Sequence, residues 1–153
     1  MQQLTPTPPA DHYEWLGKVM SVCSMLEIQI GMIGWAAKNG RPWTDDWMDV
    51  AGANGAAVKL CKNQLGSMDP ALADDVRALL ADADPVFRER NKFAHAVFTL
   101  DLGRPAGEQW VLKSARVSEF KPLTDKEGNV LVVTANRLSK RAKALSTRAA
   151  DRS

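Results

Sequence analysis

Residues 88–98 read Arg88-Glu89-Arg90-Asn91-Lys92-Phe93-Ala94-His95-Ala96-Val97-Phe98. Just upstream, Asp84-Pro85 pairs a capping residue with a proline suited to a first helical turn. From there Val86, Phe87, Arg90, Ala94, Val97 and Phe98 fall on overlapping faces at helical spacing, so the spacing predicts a helix carrying the whole stretch. Beyond Leu102 the pattern changes. Gly103-Arg104-Pro105-Ala106-Gly107 is turn-rich, and Trp110 to Val117 has the β-branched and aromatic content of a strand. The expected fold is mainly α: a helical bundle with a small β-hairpin inserted before the C-terminal helix.

Working outward, Asp69-Pro70 repeats the start signal for a helix with Leu72, Val76, Leu79, Leu80 and Ala83 as its buried stripe. At Asp84-Pro85 that helix either kinks or restarts. Ala56 to Leu65 is a short helix closed by Gly66, and Trp43 to Gly55 is ambiguous. Near the N-terminus Asp11 or the preceding Thr7 can cap a long helix running to about Asn39, ended by Asn39-Gly40 with Pro42 just beyond. Two apolar stripes line it, Tyr13-Leu16-Met20-Cys23-Ile30 and Trp15-Val19-Val22-Leu26-Ile33. A helix apolar on adjacent faces is central to a bundle or packs on a second chain. Downstream, Glu127-Gly128-Asn129 reads as a turn tip and Val130 to Val133 as a second strand. Thr134 would then cap a last helix, Ala135 to Ala150. The expected organisation is a flexible lead over 1–10 and one domain over 11–153, with 103–133 as the hairpin insertion.

The chain has 153 residues, enough for one domain with a core. Glu27 and Gln29 interrupt the longest apolar region, and the first residues carry neither a basic nor an apolar leader pattern, so no membrane span or signal peptide is expected. Cys23 and Cys61 sit in helical apolar patterns as reduced core thiols, without the spacing of a metal site. These features point to the cytoplasm. The net charge of +2 hides an asymmetry: residues 1–84 carry 6 Lys/Arg against 11 Asp/Glu, while residues 85–153 carry 14 against 7. The basic half begins where the Arg/His stretch begins, as a polyanionic ligand such as RNA would require.

Arg90 and His95 form an Arg-x4-His pair with Asn91 directly after the arginine. Imidazole accepts and returns a proton near neutral pH. Guanidinium offers a planar two-pronged donor for phosphoryl oxygens. The pair resembles the Arg-x(4–6)-His signature of the HEPN superfamily. With the long first helix and the helix before Arg90, the resemblance covers roughly residues 10–100. It implies a four- or five-helix bundle and a metal-independent ribonuclease without cofactor, or a relative that has lost activity. It also implies a homodimer in which two motifs line one cleft. The superfamily includes toxins and defence-system subunits, so an antitoxin or regulatory protein is a conceivable partner beside RNA.

The candidate catalytic set is Arg90, His95, Asn91 and Glu27. Glu27 lies inside the apolar stripe of the first helix, where a carboxylate needs a cation; it either pairs with Arg90 structurally or supports the site. On an unbroken helix, residues five apart diverge by about 140° and residues four apart by about 40°, so Asn91 shares a face with His95 while Arg90 reaches round from the side. One helix therefore does not close the site, and a second helix or protomer must contribute. Arg88 and Lys92 are candidates for binding RNA backbone. His12 is expected to be solvent-exposed, and Trp43 and Trp47 are the tryptophans most suited to an exposed interaction surface.

Overall fold

The computed structural model describes residues 8–43, 55–114 and 122–151. Helix α1 (Ala10–Asn39) occupies the centre, and α2 (Ala56–Asn63), α3 (Pro70–Ala94) and α4 (Asp125–Ala150) all pack against it, α4 most extensively. A 3-10 turn, Leu65–Ser67, links α2 to α3. Strands β1 (Ala96–Leu100), β2 (Trp110–Ser114) and β3 (Pro122–Leu123) form an antiparallel sheet in the order β1-β2-β3, lying in sequence between α3 and α4. The fold is mainly helical with a small sheet before the last helix, as expected.

The two-faced apolar pattern of α1 explains its position. Val19, Cys23, Leu26, Ile30 and Ile33 are at most 1% exposed, packed with Val76 and Leu79 of α3 and Leu138 and Ala142 of α4. Each large aliphatic side chain so buried contributes about 1.5–3 kcal/mol. Tyr13, assigned to the same stripe, is instead 53% exposed and meets Phe98 edge-on at 4.9 Å. The helix ends where Gly40 adopts a left-handed φ of 64° and its N–H donates to the Ala36 carbonyl. Helix α1 contains an 18-residue stretch apolar enough by length and composition to cross a membrane, with a mean hydropathy of 1.4, yet half of that stretch is buried inside the bundle.

Helix α3 starts as read: the Asp69 side chain accepts from Leu72 N at 2.9 Å, with Pro70 in the first turn. It then runs through Pro85 without restarting. An internal proline costs roughly 3 kcal/mol. Leu79, Ala83, Val86 and Phe93 on both sides are buried, and their combined burial outweighs that cost.

Two expectations are corrected. First, the helix does not extend through Val97 and Phe98. Ala96–Leu100 is a strand, paired Ala96↔Ser114 through Leu100↔Trp110, with Phe98 against His12 and Tyr13. The hairpin thus spans 96–114 rather than lying within 103–133, and β3 adds a third strand. Residues 115–117, assigned to the strand from Trp110, lie outside the described residues. Second, Glu127-Gly128-Asn129 is no turn and Val130 to Val133 is no strand; both lie within α4. The cap is Thr124, not Thr134: Thr124 Oγ1 accepts from Glu127 N at 3.2 Å while Glu127 Oε2 accepts from Thr124 N at 2.9 Å. Gly128 serves a helix crossing, since a Cβ there would stand 3.0 Å from Val19 Cγ2 and 3.1 Å from the Trp15 ring.

Candidate functional site

The end of α3 sets the geometry. His95 is the C-cap residue, at φ −107° and ψ 18°, and its N–H donates to the Asn91 carbonyl. The helical estimate of a 140° divergence between Arg90 and His95 therefore does not hold, because the backbone leaves the helix at His95. Arg90, Asn91 and His95 all open onto one cleft of about 720 Å³. Asn91 and His95 are exposed, and Arg90 is half-buried.

The second contributor required by the single-helix argument is present within the same chain. Glu27 of α1 lines the same cleft, and α2 contributes Val58, Lys59, Lys62 and Asn63 to its wall. Gly34 fixes how closely α2 approaches, since a Cβ there would lie 2.6 Å from Cys61 Cα and N. No bulkier residue fits this contact without moving α2.

Glu27 Oε2 accepts from Arg90 Nη2 at 3.4 Å, and Glu27 Oε1 accepts from the Gly55 N–H at 3.1 Å. Both side chains of the ion pair are 19% exposed. The pairing of Glu27 with Arg90 expected from the apolar stripe is therefore present, at the long end of hydrogen-bond distance. Arg90 Nε is buried and has no hydrogen-bond partner among the described residues, while the guanidinium carbon lies 5.9 Å from the Phe87 ring centre. The arginine thus retains donor capacity beyond its one carboxylate contact. It also acts on Cys23: burial pushes that thiol up to about 11, and the Arg90 charge opposes the rise. Burial pushes Cys61 up to about 12, opposed by a hydrogen bond from the Gly34 backbone and by Lys62. Both cysteines are free and buried, as read from their spacing.

Lys59 and Lys62 are the cleft residues that sequence reasoning missed. They are exposed, three apart on one face of α2, and form no ion pair with a described residue. Among the described residues lining the cleft, these two lysines and Arg90 are three cations beside the carboxylate of Glu27. Their i, i+3 spacing opposite the buried Ala57 and Cys61 was a readable signal that they share an outer face. What that face overlooks was not readable.

Arg88 and Lys92 do not line this cleft. Arg88 pairs with Asp84 one turn earlier, and Lys92 Nζ lies 2.6 Å from Glu89 Oε1. His12, expected to be solvent-exposed, is half-buried beside Phe98 and contacts Asp11 at 3.2 Å. Trp43 packs with Trp35 and Ala57 in a small satellite cluster rather than forming an exposed surface. Trp47 lies outside the described residues.

No protein-family model, curated protein or solved structure matches this chain.

Proposed function

We propose that the chain is a HEPN-like endoribonuclease that cleaves RNA without a metal at the cleft holding Arg90, Asn91 and His95. The observation that carries this reading is the convergence on one cleft of an exposed imidazole, a half-buried guanidinium, and two exposed lysines without an ion-pair partner among the described residues. Such a set meets the needs of transesterification. The ribose 2′-oxygen attacks the adjacent phosphorus and loses its proton; the bond from phosphorus to the 5′-oxygen breaks, and that oxygen gains a proton. The products are a 2′,3′-cyclic phosphate and a 5′-hydroxyl. His95 exchanges the proton at one of these oxygens, with water serving the other. Arg90 donates to the phosphoryl oxygens as negative charge builds on them. Asn91 hydrogen-bonds the substrate or holds the His95 ring. Glu27 holds Arg90 in place from α1.

In this reading the protein works in the cytoplasm in a toxin or defence role, as a homodimer, under an antitoxin or regulatory partner. The exposed apolar residues Tyr13, Met25, Val97, Leu100 and Leu102 support a protein partner.

One observation favours a second reading, a non-catalytic HEPN-like module for dimerisation or partner binding: Arg90 already has Glu27 as a counter-ion. In that case the guanidinium serves the packing of α3 on α1. The deciding experiment is incubation of the purified chain with mixed RNA in EDTA, with His95→Ala alongside. The ribonuclease reading expects cleavage ending in cyclic phosphate that His95→Ala abolishes while remaining folded. Absence of cleavage, or equal cleavage by the variant, favours the binding module.

A further inference from the structure

The catalytic cleft does not end at α2. A second groove of about 740 Å³ adjoins it, and the two share Val58, Lys62 and Phe87 as common walls. It runs between α2 and α3 toward Arg77, with Leu65 and Leu80 as apolar lining. Each volume falls in the range of ~300–1,000 Å³ typical of pockets for small molecules. Three features of this path coincide. Phe87 is half-buried where the two spaces meet, so an aromatic ring is available to both. Lys62, exposed and without a described ion-pair partner, flanks it from α2, with Lys59 one helical turn earlier. The other charges of the second groove are already neutralised within α3, Arg77 by Asp74 at 2.7 Å and Asp84 by Arg88.

We infer that the groove between α2 and α3 holds single-stranded RNA beside the cleaved phosphodiester, with a base against Phe87 and backbone phosphates on Lys59 and Lys62. This rests on the ribonuclease reading and names its substrate class. The occupant follows from charge: exposed cations without an ion-pair partner among the described residues call for an anion, and alternation of cations with an apolar aromatic wall suits a strand that alternates phosphates with bases. A duplex keeps its bases stacked inside and cannot present one to Phe87. The inference also moves the backbone contacts from Arg88 and Lys92, which line neither space, to α2.

The test is fluorescence anisotropy of the full chain carrying His95→Ala, which removes cleavage, with a labelled single-stranded oligoribonucleotide and with its duplex over a range of NaCl. Lys59→Gln/Lys62→Gln is expected to weaken single-strand binding about tenfold or more near ~0.1 M salt. It should also flatten the log–log salt dependence by about 1.4, at ~0.7 per lost phosphate contact. Phe87→Leu, which keeps an apolar side chain and removes the aromatic face, is expected to weaken binding at least about fivefold. Lys140→Gln/Lys143→Gln on exposed α4 positions removes the same charge and should leave affinity unchanged. The lysine variants lie on the surface, so the test survives even if Phe87→Leu unfolds. Binding by the lysine variants equal to that of the parent, or equally tight duplex binding, overturns the inference. The two readings fail separately. Cleavage by the wild type with no dependence on Lys59 or Lys62 retains the ribonuclease and removes the groove. Lysine-dependent binding without wild-type cleavage retains the groove as an RNA-binding site and removes the ribonuclease.

Discussion

Gly34 of α1 lies against the backbone of Cys61 on α2, so close that a Cβ at position 34 would stand 2.6 Å from the Cys61 Cα. The contact positions the wall that carries Lys59 and Lys62. Replacing Gly34 by alanine gains about 1 kcal/mol of helix propensity. The methyl group meets backbone rather than a movable side chain, and overpacking of this kind costs about 1–3 kcal/mol. The clash prevails because α2 must shift. Gly34→Ala is expected to lower the midpoint of chemical unfolding and to weaken RNA binding together. Unchanged values for both would show that α2 yields freely at this contact.

The ion pair between Arg90 and Glu27 separates stability from chemistry. Glu27→Ala leaves a half-buried guanidinium without its carboxylate, a loss of about 1–3 kcal/mol. Arg90→Lys retains the charge and should cost less in stability, but on the ribonuclease reading it removes the planar fork from the phosphoryl oxygens. Its expected effect on RNA cleavage is a loss of about a hundredfold or more. Urea unfolding and initial cleavage rates on the two variants check both halves. A fully active Arg90→Lys protein would leave the arginine with a packing role alone.

The buried thiols determine a response to alkaline pH. Burial raises Cys61 from its ordinary 9.0 to about 12 and Cys23 to about 11. The folded state thus holds these protons more tightly than the unfolded chain does. Their contribution to stability is intact below pH ~9 and is lost progressively as pH rises toward the folded values. Unfolding midpoints should fall above pH ~9, and thiol-reactive reagents at pH 8 should label the native protein far more slowly than the urea-unfolded chain. Rapid native labelling at pH 8 would contradict the burial.

Helix α4 begins at Asp125, which leaves Val133 on its solvent face at 68% exposure. A β-branched residue at an exposed helical position loses a few tenths of a kcal/mol to a straight-chain one. Val133→Lys is therefore expected to be neutral or slightly stabilising, by up to ~0.5 kcal/mol in thermal unfolding. Thr124→Ala removes the capping box and should cost about 0.5–2 kcal/mol. Were 130–133 a strand, the first change would harm the fold and the second would do little.

Local chemistry in the sequence determined much of this molecule. The two stripes of α1, the stop at Gly40 and the start at Asp69-Pro70 follow from apolar spacing and from the capping of backbone groups within a few residues. The need of Glu27 for a cation was readable for the same reason, whereas Arg90, Asn91 and His95 stood out by their resemblance to the Arg-x(4–6)-His pattern and not by helical spacing. The capping box Thr124-Asp125-Lys126-Glu127 was also readable, but Gly128 and the run from Val130 to Val133 imitate a turn and a strand. Only packing against Val19 and Trp15 shows that Gly128 belongs to a close helix crossing. Tertiary structure likewise decided that α3 continues through Pro85, because the burial that offsets the proline comes from distant helices. It decided that the chain leaves the helix at His95, because pairing with β2 and packing on Tyr13 draw Ala96–Leu100 into the sheet. The placement of Lys59 and Lys62 in one cleft with Arg90 belongs to it as well. Their side chains are polar and solvent-facing, so no local pattern specifies what they face; the close contact of Gly34 with Cys61 sets it.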